Sequence, residues 1–309
     1  INLAQVRGFG EFEYWFAMIK IVVIVGFLII GTALFLGLLP GTNFVGFDNI
    51  AESGFAPNGI AGIAAGLLAV AFAFGGIEVV TIAAAESKNP AAAVKKAVTS
   101  IIWRIGLFYI GSVVIIILLL PYSRIDDAQS AAESPFTQVL ALANIPGAVG
   151  FMEAVIVLAL LSAFNAQIYG TSRMAYQQAL DGDAPAWLRR TNDQGVPINS
   201  VLVSVFFAFL SVGLQWWNPP GLLTFLMTAV GGCLIVIWVM ISLSYMRLRD
   251  RLSGDDIARA PSWLAPVTLV ALVGIVALML FDASARNQIL AVLALSAVLV
   301  GISALTRRA

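Results

Sequence analysis

The chain has 309 residues, of which 60% are hydrophobic and 11% are charged, and its mean hydropathy is +0.95. An ordinary soluble domain has about 45–50% apolar and about 25% charged residues, so this composition indicates a polytopic membrane protein embedded in the lipid bilayer. The formal net charge is zero and the 17 basic residues are spread in short clusters, which excludes a nucleic-acid-binding surface.

The residues that most often carry metal and proton chemistry are scarce. The chain has a single cysteine, Cys233, within an apolar run, and it has no histidine. One cysteine excludes an internal disulfide, and the sequence shows no metal-ligand pattern, so we expect no metal and no cofactor. Without histidine, proton chemistry has to use carboxylates, lysine or tyrosine.

Eight apolar segments are each long enough to cross a membrane. A hydrocarbon core about 30 Å thick requires about 20 helical residues. Proline, glycine and asparagine mark the turns between the segments. The predicted spans are residues 16–39, 60–85, 98–120, 148–176, 198–217, 222–246, 264–281 and 288–305.

Lysine and arginine are distributed unevenly between the two ends of these spans. Thirteen of them fall on one side and only Arg124 and Arg286 on the other, while Lys20 and Arg104 lie just inside spans. Because cytoplasmic loops carry the excess of basic residues, both ends of the chain are predicted to be cytoplasmic.

The first span contains a lysine, Lys20, which follows Glu11, Glu13 and Trp15. It lies only about 6 Å inside the span, so its ammonium could reach the interface along the four-carbon stem. Alternatively, its charge takes the place of a coupling cation within the helix bundle. The sequence leaves both interpretations open.

The second span is interrupted by Phe74-Gly75-Gly76 and carries Glu78 two residues later. Gly75 lies roughly 15 Å from the cytoplasmic end, near the bilayer midplane. A broken helix at that depth offers backbone groups to a substrate, whereas paired glycines can also serve close helix packing. Because a carboxylate inside the membrane needs a partner or a water-filled cavity, Glu78 favours a functional break.

Polar residues on the fourth span recur on one helix face, at the spacing i, i+3, i+7 and i+10: Ser162, Asn165, Tyr169 and Ser172. Interhelical hydrogen bonds or the lining of a transport pathway would each explain this stripe. On the sixth span, Thr228 and two nearby glycines form a weaker version, for which packing is the simpler explanation.

Four stretches carry a resemblance to a known family, in the right order and along essentially the whole chain: FGEFEYWFAMIK (9–20), FGGIEVVTIAAAESKNP (74–90), WRIGLFY (103–109) and YGTSRM (169–174). They resemble amino acid permeases of the amino acid–polyamine–organocation superfamily. The resemblance is greatest to the group that contains GABA, phenylalanine and proline permeases.

This resemblance implies an all-α integral membrane fold with twelve spans, the first ten of which form two inverted five-helix repeats. The eight spans here would be spans 5–12. Residues 1–58 would hold the last helix of the first repeat and an external loop, residues 59–249 the second repeat with its broken helix at 74–76, and residues 250–309 two trailing helices. We therefore expect a fragment that lacks the first four spans, in keeping with its start at Ile1 without an initiator methionine.

The resemblance also implies a substrate-binding segment on the second span. Its backbone groups would meet the α-amino group of the substrate, and Phe72 or Phe74 would act as an aromatic gate. The residues implied to bind the substrate are Phe72, Ala73, Phe74, Gly75 and Gly76.

Further residues are implied to act in coupling and along the pathway. Glu78 would take part in gating or proton sensing, and Lys20 would replace a bound sodium ion in proton coupling. The residues implied to line the pathway are Ser162, Asn165, Tyr169 and Thr228.

Taken together, these features predict secondary active transport of an amino acid or a close analogue such as GABA across the bacterial cytoplasmic membrane, by proton-coupled symport and alternating access. The expected partners are the amino acid and the lipid bilayer, with no nucleic acid and no obligate protein partner. A transporter-like amino acid sensor without net flux is the alternative. An enzyme is not expected because the spans lack a histidine cluster, paired carboxylates and a nucleophile–base pair.

Overall fold

The computed structural model describes residues 6–54, 56–77, 89–125, 130–217, 222–249, 261–281 and 283–306. Within these ranges all regular secondary structure is helical. The α-helices are α1 Val6–Phe35, α2 Asp48–Ser53, α3 Gly59–Phe74, α4 Pro90–Arg104, α5 Gly111–Leu119, α6 Pro135–Leu142, α7 Ala148–Asp181, α8 Ile198–Trp217, α9 Leu222–Leu248, α10 Leu264–Met279 and α11 Ala283–Thr306. A π-helix, Ile105–Ile110, joins α4 to α5, and short 3₁₀ helices cover Tyr122–Arg124 and Ala186–Arg189.

Each of the eight predicted spans contains an apolar helix, and the predicted all-helical membrane fold is confirmed. In the part of the chain that the structure describes, five helical stretches are long and apolar enough to cross a membrane: Glu13–Phe35, Ala92–Leu119, Ala148–Asp181, Ile198–Trp217 and Phe225–Leu248. In the other three spans the apolar helices among the described residues are shorter: Gly59–Phe74, Leu264–Met279 and Ala285–Val298. A helix of 16 residues, such as α10, is about 24 Å long, which is less than a hydrocarbon core of about 30 Å.

The first helix ends at Phe35, whereas the predicted span extends to residue 39. The chain turns at Gly37, whose φ is +67° and where a Cβ would lie 2.6 Å from backbone atoms of Asn43 and Phe44. The amide of Val45 then donates to the carbonyl of Phe35 at 3.1 Å. A left-handed glycine and a returning loop therefore end α1 before its apolar run ends.

The third predicted span contains an irregularity that its sequence does not reveal. The π-helix Ile105–Ile110 lies between α4 and α5, and these three elements form one unbroken helical stretch. Apolar residues continue through all of it, so hydropathy predicts a helix without distinguishing i→i+5 from i→i+4 hydrogen bonding. Such π-helical segments are rare and are often found at functional sites.

The helices form two compact units, each built from two separate stretches of sequence. Unit 1 consists of Ile1–Phe55 and Thr99–Leu210, and unit 2 of Ala56–Val98 and Ser211–Ala309. The division at residues 58 and 249 that the sequence predicts refers to repeats rather than to compact units, and it stays a prediction.

In unit 1, α1 packs against α5, α6 and α7. The ring of Phe27 on α1 lies 4.8 Å, centroid to centroid, from that of Phe136 on α6. Because lipid tails are as apolar as leucine, close van der Waals contact rather than removal from water holds such helices together. The core residues are Phe27, Leu34, Ile115, Leu119, Leu120, Val139, Leu140, Ala143 and Met152.

In unit 2, α9 packs against α3, α10 and α11. The core that they share contains Ala71 of α3, Ile235 of α9, Met279 of α10 and Ala285 of α11. Ala71 is three residues before the end of α3, so this core supports the helix where it ends.

The outer surface of the helices is apolar. Trp216 is 92% exposed and Phe209 is 71% exposed, and many other large apolar side chains are exposed with them. A soluble monomer rarely exposes an apolar surface of this extent, whereas lipid solvates it without cost.

Candidate functional site

A cluster of polar side chains joins α1 to α7 within unit 1. Glu13 and Lys20 are seven residues apart on α1, which places them on one face and about 10.5 Å apart along the axis. Ser162 and Asn165, three residues apart, share a face of α7 by the same rule. Side chains on a helix lean towards its N-terminus, so the long side chain of Lys20 reaches back towards the level of Glu13.

Three hydrogen bonds connect this cluster. The Lys20 ammonium Nζ donates to Ser162 Oγ at 2.8 Å. Ser162 Oγ in turn donates to Glu13 Oε2 at 2.8 Å, and Asn165 Nδ2 donates to Glu13 Oε1 at 3.1 Å. The Ser162 hydroxyl therefore links an ammonium to a carboxylate, and both carboxylate oxygens are held by α7.

Burial makes these bonds stronger than they would be in water. Ser162 is completely buried, and Glu13, Lys20 and Asn165 are half-buried. Hydrogen bonds in which one partner is ionised are roughly twice as strong as neutral ones, and a low local dielectric strengthens them further. A charged pair inside a helix bundle also avoids the cost of an isolated charge in the membrane.

The structure brings three of the predicted residues, Lys20, Ser162 and Asn165, into one network. The Lys20 ammonium contacts Ser162 of α7, and both interpretations of Lys20 stay open. Two members of the predicted stripe, Ser162 and Asn165, make interhelical hydrogen bonds. The coupling role of Lys20 and the lining of a pathway by the stripe stay predictions.

Tyr169 lies one turn beyond Asn165 on α7 and is only 5% exposed. The guanidinium carbon of Arg173 lies 5.1 Å from the centre of its ring, a distance typical of a cation–π contact. The backbone carbonyl of Tyr169 accepts a hydrogen bond from Ser172 Oγ at 2.9 Å. This part of the stripe is therefore packed within the protein and contacts its own helix.

Glu13 is the residue of this cluster for which the sequence predicts no role. It stands in the sequence as one of two glutamates that precede Lys20. The signal that would have selected it is its spacing of seven residues from Lys20, since opposite charges two turns apart share a helix face.

A second candidate site lies in unit 2, where α3 ends at Phe74. Gly75 has φ −61° and ψ 152°, an extended conformation, and its amide donates to the carbonyl of Phe72 at 3.0 Å. Gly76 follows with φ +105°. The helix therefore stops at the predicted interruption, and Glu78 lies outside the described residues.

The two glycines are required for different reasons. A Cβ at Gly75 would lie 2.7 Å from Leu234 Cδ1 and 3.0 Å from the Phe72 carbonyl oxygen. A Cβ at Gly76 would meet nothing within 4 Å, but its positive φ disfavours any other residue. Close packing therefore explains the glycine at position 75, and backbone conformation explains the one at position 76.

The neighbouring side chains of this helix end differ in exposure. Phe72 is 39% exposed and Ala73 is exposed, while Phe74 is half-buried. Their part in substrate binding stays a prediction, as does that of Gly75 and Gly76. Thr228 of α9 is 9% exposed and donates to the carbonyl of Phe225 at 3.1 Å, within its own helix; its place on a pathway also stays a prediction.

The described residues contain no group of three or more histidine, cysteine, aspartate or glutamate side chains arranged to hold a metal ion. Cys233 is exposed on α9.

These features describe an all-helical, multi-pass membrane protein with ionisable side chains between its spans, which is where membrane transporters place ion and proton pathways. The chain belongs to the amino acid permease family, which matches residues 1–305. The resemblance identified in the sequence is thereby confirmed.

Three curated relatives show the range of this similarity. The aromatic amino acid transport protein AroP of Corynebacterium glutamicum is 62% identical over 298 residues, which cover 94% of this chain and 64% of the relative. The gamma-aminobutyric acid permease of Bacillus subtilis is 36% identical over 296 residues, which cover 94% of this chain and 62% of that permease. The L-asparagine permease of Escherichia coli is 36% identical over 295 residues, which cover 91% of this chain and 57% of that permease. The chain thus spans less than two thirds of the length of these relatives.

Proposed function

We propose that this protein imports an amino acid across the bacterial cytoplasmic membrane by proton-coupled symport, alternating between outward-open and inward-open states. The observation that carries the proposal is the family membership over residues 1–305. The proposed substrate class is the aromatic amino acids, because the relative at 62% identity is named as an aromatic amino acid transport protein, whereas the GABA and asparagine permeases are near 36%.

In this proposal the substrate meets the end of α3. The backbone of Phe72, Ala73, Phe74, Gly75 and Gly76 meets the α-amino group of the substrate, because backbone carbonyls at the end of a broken helix favour a cationic group. The exposed ring of Phe72 supports a role as a gate, since an aromatic ring can cover an aromatic substrate. No covalent step is part of the proposal.

Proton coupling is assigned to Lys20 and Glu78. Membrane-embedded ionisable residues are typical of proton relays. The hydrogen bonds around Lys20 support this assignment, because an ammonium held by a hydroxyl that also contacts a carboxylate has a route for proton exchange.

The test uses the full-length gene product in proteoliposomes. We expect uptake of labelled phenylalanine, tyrosine and tryptophan to exceed that of GABA, to rise with an inward proton gradient and to stop with a protonophore. We expect Lys20→Ala and Glu78→Gln each to reduce gradient-driven uptake by at least about tenfold, the effect of losing one charged hydrogen-bonding group.

Other results would contradict specific parts of the proposal. Sodium-dependent uptake, or unchanged uptake in both variants, would refute the coupling scheme. Preferential uptake of GABA would refute the substrate class. Saturable binding of an aromatic amino acid without any flux would indicate a sensor instead of a transporter.

A further inference from the structure

The proposed coupling scheme uses Lys20 but not Glu13, whose carboxylate is the centre of the α1–α7 cluster. Its two oxygens accept hydrogen bonds from two residues of α7, Ser162 at 2.8 Å and Asn165 at 3.1 Å. These donors are 149 and 152 residues away in sequence. Glu13 is thus fixed against α7 by both oxygens, which leaves its charge in a defined place.

The orientation of the Ser162 hydroxyl depends on that charge. A serine hydroxyl has one proton to donate and lone pairs that accept. Because its proton points to Glu13, its lone pairs are available to the Lys20 ammonium, which donates to it at 2.8 Å. Without the carboxylate, this hydroxyl would be free to rotate and the ammonium would lose an oriented acceptor.

Glu13 is also the carboxylate that is linked to Lys20 through Ser162, and the described carboxylates of α7 lie farther along that helix. On α7, Glu153 lies nine residues before Ser162 and Asp181 nineteen residues after it. At a rise of about 1.5 Å per residue, these side chains start about 14 Å and about 28 Å away along the helix axis. The cationic neighbour on α7, Arg173, lies over the ring of Tyr169.

We propose that Glu13 is a positioning residue, which holds the Lys20 ammonium at the α1–α7 contact through Ser162 and supplies its compensating charge. Its part in transport rests on the proposed coupling role of Lys20. The pairing of Glu13 with Lys20 does not depend on that coupling role, because it follows from the three hydrogen bonds of the cluster.

A double-mutant cycle tests the pairing in the purified full-length gene product. The variants are Glu13→Gln, Lys20→Met and the double variant, each measured by thermal unfolding in detergent. We expect each single variant to lower the melting temperature, because it leaves the other charge without its partner. The double variant should lose less than the sum of the two, as interacting residues do. Additive losses would overturn the proposal, whether or not the protein transports.

Uptake separates positioning from a merely structural role. We expect Glu13→Gln to lower proton-gradient-driven uptake about tenfold, as Lys20→Met does, while counterflow exchange of substrate without a gradient is retained. The matched control is Glu153→Gln, which neutralises a half-buried carboxylate on α7 outside the cluster and should leave both assays unchanged.

The outcomes distinguish this inference from the proposed function. Equal losses of driven uptake and counterflow in Glu13→Gln, or no loss in Glu13→Gln while Lys20→Met lowers driven uptake, would overturn the positioning role. Retained driven uptake in Lys20→Met would instead refute the coupling role of Lys20, and the melting-temperature cycle would still decide whether Glu13 positions it.

Discussion

At the scale of single residues, Ser162 is the connection on which the polar cluster depends. It is completely buried, accepts a hydrogen bond from Lys20 and donates one to Glu13. Its small size is as important as its hydroxyl, since a fully enclosed position between two helices has no room for a longer polar side chain.

The substitution Ser162→Ala should therefore destabilise the protein more than the loss of an ordinary hydroxyl. It removes a partner from two charged groups at once, and we expect the free energy of unfolding to fall by about 1–3 kcal/mol. Thermal unfolding of the purified full-length gene product measures this change.

The matched control is Ser242→Ala on α9. Ser242 is 9% exposed, and its hydroxyl donates to the carbonyl of Trp238 in its own helix at 2.8 Å. Because no charged group loses a partner there, we expect a loss of less than about 1 kcal/mol. Equal losses at the two positions would show that the α1–α7 cluster contributes no more than a local hydroxyl contact.

At the scale of an element, the end of α3 is determined jointly by its sequence and by the neighbouring helix. Gly76 has a φ of +105°, which ends the helical conformation locally. Gly75 has no side chain, and Leu234 of α9 therefore packs against the position that a Cβ at residue 75 would occupy. The core around Ala71 and Ile235 supports the helix up to this point.

Alanine substitutions at the two glycines should separate these causes. We expect Gly76→Ala to cost about 1–2 kcal/mol because of its positive φ. Gly75→Ala should lower the melting temperature because its Cβ would lie 2.7 Å from Leu234 Cδ1. In a Leu234→Ala background, part of the Gly75→Ala loss should disappear, whereas the Gly76→Ala loss should persist.

Gly66→Ala provides the control within the same helix. A Cβ there would meet nothing within 4 Å, so the substitution should stabilise α3 by about 0.5–1 kcal/mol through helix propensity alone. If Gly75→Ala were tolerated as well as Gly66→Ala, close approach of Leu234 would not be the reason for a glycine at position 75.

At the scale of the whole molecule, the distribution of basic residues predicts how the chain crosses the membrane. Ser130 lies in the loop that is predicted to be external and Thr191 in one that is predicted to be cytoplasmic, and both residues are exposed. Cys233 can be replaced by serine, which leaves no other cysteine in these 309 residues.

In the Cys233→Ser background, single cysteines at positions 130 and 191 test the orientation of the chain in the membrane. With the full-length gene product freed of other cysteines, we expect a membrane-impermeant maleimide to label Ser130→Cys but not Thr191→Cys in intact cells. Both should react after the cells are opened. The reverse labelling pattern would show that both ends of this chain lie outside the cytoplasm.

Several parts of this protein follow from the sequence by itself. Composition and runs of about 20 apolar residues predicted an all-helical membrane protein, and each predicted span contains an apolar helix. The pair Gly75-Gly76 marked the end of α3, and Lys20, Ser162 and Asn165 were selected as unusual polar residues in apolar helices. Hydropathy, helix periodicity and glycine conformation are properties of nearby residues, so the sequence determines them directly.

Only the tertiary structure decided which of these residues meet. The hydrogen bonds from Ser162 and Asn165 to Glu13 join positions about 150 residues apart, and nothing in the local pattern of α1 or α7 specifies that contact. The close approach of Leu234 to Gly75 and the π-helix at Ile105–Ile110 are likewise invisible to hydropathy. The physical reason is that hydropathy shows which side chains are polar, whereas their partners depend on how whole helices pack.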